Sequence, residues 1–289
     1  MEGSLIPFRS APTGRFGFQD GPGIVEAMQI WSTLTVMAAA FAAGSINAIA
    51  GGGTLISFPS LMGIGLTGQQ ANVTSTLALW PGSIGGFLGH RKDLEGTRAF
   101  ALRLVPPSLL GGLTGAWLML VTPQSVFDKL IPWLLLAATV LLAANDPVGR
   151  FLKKIGGHER TTGWWVGAIC FQFVVGVYGG YFGAGIGILM LAALSLLGLT
   201  DIHQMNGLKN FLALSINGVA IFAFVGMEFL RHPGNVVWHL VLLMALSAMG
   251  GGFFGAHMAH RVGRKTVRVA VVGIGLALTA WYFYKHHAA

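Results

Sequence analysis

Residues 43–58 read AGSINAIAGGGTLISF, and residues 175–190 read VGVYGGYFGAGIGILM. Gly44, Gly51 and Gly53 of the first stretch fall on Gly176, Gly183 and Gly185 of the second at one constant offset. Each stretch ends a long apolar run, breaks on a glycine cluster, resumes as a short apolar run and leads into a polar patch containing asparagine. Such self-similarity marks a chain built from two related halves. Hydrophobic segments interrupted at matching positions of two halves point to a transporter whose substrate sits at the paired breaks.

The surroundings of these stretches are those of a membrane protein. The chain is 54% hydrophobic and 10% charged, where soluble domains carry roughly 25% charged residues. Several apolar runs reach the roughly 20 residues that span a hydrocarbon slab. The expected fold class is therefore an all-α integral membrane protein of two structurally related repeats with broken helices. The formal charge of +8 is gathered between the apolar runs, at Arg91, Lys92 and Arg98, at Arg150, Lys153, Lys154 and Arg160, and at Arg261, Arg264, Lys265 and Arg268. Loops of this kind set topology beside anionic lipid. Nucleic acid is not an expected partner, because no soluble module presents the charges. The one cysteine, Cys170, lies in an apolar run and reads as inert, which leaves no internal disulfide and no cysteine metal cluster.

Ten apolar segments are predicted, over residues 24–50, 54–66, 72–90, 99–121, 127–145, 163–182, 186–199, 206–229, 236–259 and 268–284. They divide the chain into a tail at 1–23, a first repeat at 24–145, a linker at 146–162, a second repeat at 163–284 and a tail at 285–289. The first tail lacks the apolar stretch of a cleavable signal. The segments after the glycine clusters, 54–66 and 186–199, are too short to span comfortably and read as half-helices. Irregular backbone at that depth is tolerated only inside protein or against a wet cavity. If the short segments cross, each repeat has an odd number of crossings and the second is upside down. If they re-enter instead, the repeats are parallel. The positive charges outside the membrane are shared alike in both arrangements, but with the two tails left out the inverted one puts all three basic clusters on one side and is the expected one.

Glycine has two roles here. The pairs Gly82 and Gly86, Gly85 and Gly89, Gly111 and Gly115, and Gly251 and Gly255 are spaced to let helices approach closely in lipid. The clusters Gly51–Gly53 and Gly179–Gly185 are too dense for an intact helix, since each Gly costs about 1 kcal/mol against Ala. A helix that restarts there points free N–H groups and a partial positive charge into its cavity, which is an anion site. Two such starts are predicted, near Thr54 and Ile186.

The polar residues that follow supply further anion ligands. The first repeat offers Asn72, Thr74, Ser75 and Thr76, and the second Asn206, Lys209, Asn210 and Asn217. With a shift of one residue per connection, Asn72 pairs with Asn206 and Ser75 with Lys209. Lys209 stands out, because a cation inside a membrane segment is costly and no carboxylate shares its segment before Glu228. Pro59 and Pro81 are expected to bend or break their helices. The candidate substrate-binding set is Gly51, Gly52, Gly53, Thr54, Asn72, Thr74, Ser75, Gly183, Gly185, Asn206, Lys209 and Asn210. His257, as a proton carrier, and Gln172, beside the second break, are the candidate coupling residues. No nucleophile–base pair and no metal-ligand spacing stands out, so neither catalysis nor a cofactor is expected.

Residues 43–76 and 179–213 together resemble the paired signatures of the sulfite exporter TauE/SafE family, and the likeness runs from about residue 25 to 285. The resemblance implies a multi-pass permease of the bacterial plasma (inner) membrane. It carries a small anion such as sulfite or an organosulfonate, with membrane lipid as the other partner. On this reading the anion is held between the repeats by helix N-termini, by Asn, Ser and Thr, and by Lys209. An anion channel, or a carrier of another small organic anion, would use the same donors. The sequence leaves a monomer and a homo-oligomer equally open. In the second repeat Leu208-Lys209-Asn210 stands where the family tends to carry a Thr-Ser pair.

Overall fold

The computed structural model describes residues 22–49, 52–89, 94–155, 162–197, 199, 201–230, 236–258 and 264–287. Among these are ten helices and no strand: α1 (Pro22–Ile49), α2 (Thr54–Gly63), α3 (Gly68–Gly89), α4 (Arg98–Val121), α5 (Gln124–Ile155), α6 (Thr162–Tyr181), α7 (Ile186–Leu196), α8 (Ile202–Leu230), α9 (Trp238–Met258) and α10 (Arg264–His287). Seven of them are long and apolar enough to cross a membrane. α3 is long enough too, with 22 residues, or about 33 Å at 1.5 Å per residue, but it is more polar. α2 and α7 have 10 and 11 residues and cover about half of a roughly 30 Å slab.

Apolar side chains cover the outside of this body. Phe222, Leu230, Leu246 and Phe253 are all more than two-thirds exposed. Large contiguous apolar surface of this kind is what lipid solvates and water does not. Ser57, Asn72, Thr74, Ser75, Ser108 and Gln172 are buried instead. Cys170 is exposed on α6, in keeping with a lipid-facing position.

Two differences from the sequence reading concern helix continuity. α2 and α3 run through Pro59 and Pro81 without a break. α5 continues to Ile155, through most of the stretch read as linker, of which 156–161 lie outside the described residues. The sequence accounts for the extension. Phe151, Leu152 and Ile155 recur at helical spacing among Arg150, Lys153 and Lys154, a pattern that suits a helix at a membrane surface.

The halves are interleaved. α4 packs along α6, and α9 along α1, so each long contact joins one half to the other. In the first pair, Gly111 sits on the Phe173 carbonyl, Gly115 on the Val177 carbonyl and Gly176 on the Ser108 carbonyl. In the second, Gly251 sits on the Phe41 carbonyl, Gly255 on the Ser45 carbonyl and Gly44 on the Ala248 carbonyl. Exchanging the halves turns one set into the other. The glycine pairs of α4 and of α9 thus do the packing that their spacing suggested.

Corresponding helices also meet each other. The Trp80 indole N–H of α3 donates to the Leu214 carbonyl of α8 at 3.2 Å, and Phe87 stacks near Phe211 with ring centroids 5.5 Å apart. Trp80 also covers Gly218. As α3 rises from 80 to 87, its α8 partner falls from 218 to 211, so the pair is antiparallel. α5 and α10 are antiparallel as well, with Thr139 against Gly275 and Trp133 against Phe283.

A Cβ at Gly115 or Gly255 would collide with a backbone carbonyl of the opposing helix, whereas one at Gly167 on α6 would meet nothing within 4 Å. Gly115→Ala and Gly255→Ala should each destabilise the protein by about 1–3 kcal/mol, as over-packing does. Gly167→Ala should be neutral or slightly stabilising, because Ala is the better helix former. Thermal unfolding in detergent distinguishes the three, and equal melting of all of them would contradict this packing.

Candidate anion-binding cavity

The two breaks are closed by different chemistry. At the first, the Gly53 N–H donates to Asn47 Oδ1 at 2.8 Å, and Gly52 has φ +89°. At the second, Tyr178 Oη donates to the Ala184 carbonyl at 2.8 Å, and Gly183 and Gly185 both have φ +79°. That backbone region is open to glycine and strained for other residues. α2 and α7 then begin at Thr54 and Ile186, and their N-cap residues, Gly53 and Gly185, have no side chain to cap with. The N–H groups of Leu55, Ile56, Ile186 and Ile188 bond to break carbonyls, and the partial positive ends of both helices remain.

Both starts face one cavity of about 190 Å3. At roughly 30 Å3 per water this holds a small anion with a few waters. Gly52 and Thr54 line it from the first break, and Gly183, Gly185, Ile186 and Gly187 from the second. Thr76, Leu79, Trp80 and Ser83 line it from α3, and Lys209, Asn210, Ala213 and Asn217 from α8. The two long helices present corresponding faces: Thr76 matches Asn210, Leu79 matches Ala213 and Ser83 matches Asn217 at the offset that pairs Asn72 with Asn206. No carboxylate is among the lining residues. Glu228 is buried, but at the far end of α8, where Oε2 accepts the Val236 N–H at 3.2 Å.

Lys209 supplies the full charge. Its stem lies 3.3 Å from where a Cβ on Gly187 would sit, in the first turn of α7. Its Nζ donates to Asn206 Oδ1 at 3.3 Å. An ammonium is thus held beside a helix N-terminus, two positive features in a half-buried space. Their mutual repulsion is relieved when an anion lies between them.

The candidate residues fall into three groups. Gly52, Thr54, Gly183, Gly185, Lys209 and Asn210 line the cavity. Asn206 does not, but it anchors Lys209. Gly53 stands just behind the cavity wall, packed on the Ala43 carbonyl. Asn72, Thr74 and Ser75 are buried in the protein instead, with Asn72 Nδ2 donating to the Tyr181 carbonyl at 2.9 Å and Ser75 Oγ 2.6 Å from Ser57 Oγ. Gly51 lies outside the described residues. Of the coupling candidates, Gln172 is buried between α6 and α4, with Nε2 donating to Ser108 Oγ at 2.8 Å, and His257 is exposed in the last turn of α9. Neither lines the cavity. Thr76 and Asn217, which the sequence offered among the polar residues after the breaks, also line it, and so do Asn47, Trp80 and Ser83.

The sequence pattern of the family described as sulfite exporter TauE/SafE matches residues 36–282. The chain belongs to the TauE/SafE family. It is 28% identical over 243 residues to the probable membrane transporter protein ORF9 of Sinorhizobium sp, covering 83% of this chain and 88% of that one. It is 29% identical over 251 residues to a probable membrane transporter protein of Haemophilus influenzae, covering 84% and 91%. It is 24% identical over 253 residues to the probable membrane transporter protein YfcA of Escherichia coli K12, covering 86% and 88%. No solved structure matches it. As a TauE/SafE member with seven helices able to cross a membrane, it is a multi-pass membrane transporter rather than an enzyme.

Asn47 holds the first break by one bond, from the Gly53 N–H. Asn47→Ala leaves that N–H without its acceptor and should cost about 1–3 kcal/mol. Asn47→Asp keeps an acceptor and should recover most of it. Melting temperatures of the two variants test this, and an Ala variant as stable as the parent would assign Asn47 no structural role at the break.

Proposed function

We propose that this TauE/SafE protein is a secondary transporter of small sulfur-containing oxyanions such as sulfite or organosulfonates. The anion binds in the cavity between two inverted repeats, residues 24–145 and 163–284. The observation that carries the reading is the convergence of two helix starts with no side-chain cap and Lys209 on one carboxylate-free cavity. Its size favours a small ion. The amides of Asn210 and Asn217 can donate to oxyanion oxygens, and the hydroxyls of Thr76 and Ser83, which donate to the Asn72 and Leu79 carbonyls, can turn to do so. The family's description as a sulfite exporter supports sulfur oxyanions over others.

The antiparallel meeting of α3 with α8, and of α5 with α10, supports the inverted arrangement. Two corresponding helices that cross antiparallel are related by a two-fold axis perpendicular to both. When such helices span a bilayer, that axis lies in the membrane plane. A site on the axis can then open to either side by rocking one half against the other.

Purified protein in proteoliposomes should take up labelled sulfite or sulfoacetate with saturable kinetics. Lys209→Met should lower uptake at least about tenfold, a loss of about 1.4 kcal/mol or more in anion binding, while Lys209→Arg keeps the charge and should retain part of it. Uptake indistinguishable from empty liposomes for every sulfur oxyanion would overturn the substrate class. Conductance without saturation would make the protein a channel.

A further inference from the structure

Asn72 is 1% exposed, and its Oδ1 has no hydrogen-bond partner among the described residues. Its amide orientation is fixed by the other end, where Nδ2 donates to the Tyr181 carbonyl. Flipping it would set two carbonyl oxygens against each other. Tyr181 is the last residue of α6, so Asn72 meets the partly negative end of a helix that stops inside the protein. One turn along the same face of α3, Ser75 Oγ lies 2.6 Å from Ser57 Oγ of α2, both residues fully buried. Within one turn of α3 there are therefore a carboxamide oxygen with no partner, a pair of hydroxyls and, on the other side of the carboxamide, a helix C-terminus. All are neutral oxygen groups of the kind that hold a hard monovalent cation at a broken helix.

The second half shows what such an asparagine meets. Asn206 corresponds to Asn72 and Lys209 to Ser75. There, Asn206 Oδ1 accepts from the Lys209 ammonium at 3.3 Å. A positive charge fixed to the chain thus sits on the oxygen whose counterpart in the first half is orphaned. Two other buried oxygens are orphaned, Thr74 Oγ1 and Gln172 Oε1, but neither has a counterpart that meets a cation. Thr74 lies on the opposite face of α3 from Asn72, about 200° round the helix, and Gln172 corresponds to Ala40.

We propose that Asn72 Oδ1, with the hydroxyls of Ser75 and Ser57 beside the C-terminal end of α6, forms a sodium site in the first half, and that Lys209 is its tethered equivalent in the second. The proposal rests on the transporter reading and names its coupling ion. Ser57 follows the cavity-lining Thr54 by one turn of α2, so sodium sits one turn behind the anion and each favours the other's binding. No proton carrier is then needed at His257.

The test begins with melting of the detergent-purified protein in NaCl, KCl and N-methylglucamine chloride at equal ionic strength, which needs no substrate. Sodium should raise the melting temperature saturably, by roughly 5–10 °C at a hundredfold excess over its Kd. Asn72→Leu should abolish the shift. Ser57→Ala, a smaller change kept in case the Leu variant fails to fold, should move the half-saturating sodium concentration up about tenfold. Ser75→Lys should melt high in all three salts, since it supplies the ammonium directly. Equal melting of the parent in all three salts, or a sodium shift that survives Asn72→Leu or is unmoved in Ser57→Ala, would overturn the site and leave a water on Asn72 Oδ1. Proteoliposome flux with and without sodium separates the two readings. A sodium shift without sulfur-oxyanion flux leaves the cation site standing with a different cargo, and sodium-independent flux leaves the anion carrier standing without it.

Discussion

A helix interrupted within hydrocarbon exposes backbone groups that lipid cannot satisfy, and the rest of this architecture answers that constraint. Each break is covered in part by its own half, as where Gly52 meets Leu142 and Gly53 the Ala43 carbonyl, and in part by helices of the other half. Gly185, at the second break, packs on α5 of the first half beside Ala138 and Leu141. α2, which follows the first break, packs on α10 of the second half. α4 lies on α6 and α9 on α1 through glycines seated on carbonyls. Side chains at those glycines would push the covering helices away and expose the breaks. The small residues of α4 and α9, far from the cavity in sequence, are therefore part of what allows the cavity to exist.

The order of helices and the places where they break were legible because both depend on short-range composition. A glycine cluster weakens a helix wherever it stands, and an apolar run of sufficient length forms one. The depth at which each helix meets the cavity was not legible in the same way. On α3, Thr76 and Ser83 lie within about 40° of Asn72 round the helix, so they share its face. Asn72 is engaged by the Tyr181 carbonyl, and the cavity opens one to three turns further along, at Thr76, Trp80 and Ser83. Proximity to the break favoured Asn72, Thr74 and Ser75. A signal for it was present all the same. Thr76 matches Asn210 and Ser83 matches Asn217, polar residues at both members of each pair, as expected of positions on opposite walls of one site. Amphipathicity explains the remaining miss. The end of α5 carries too many charges to look like a membrane segment and reads as linker in the sequence.

The halves correspond in backbone but not in charge. Where the second half carries Lys209, the first carries Ser75, and the two matching asparagines consequently have different partners. A site with only fixed positive groups would hold an anion strongly whichever side it opened to. Transport requires release as well as capture. A second positive charge that arrives and departs with the anion resolves the conflict, because its departure weakens the grip of the cavity. The sequence difference between Ser75 and Lys209 then has a mechanical sense. On the proposed reading, one half contributes a permanent cation that selects for anions, and the other a temporary one that lets them go.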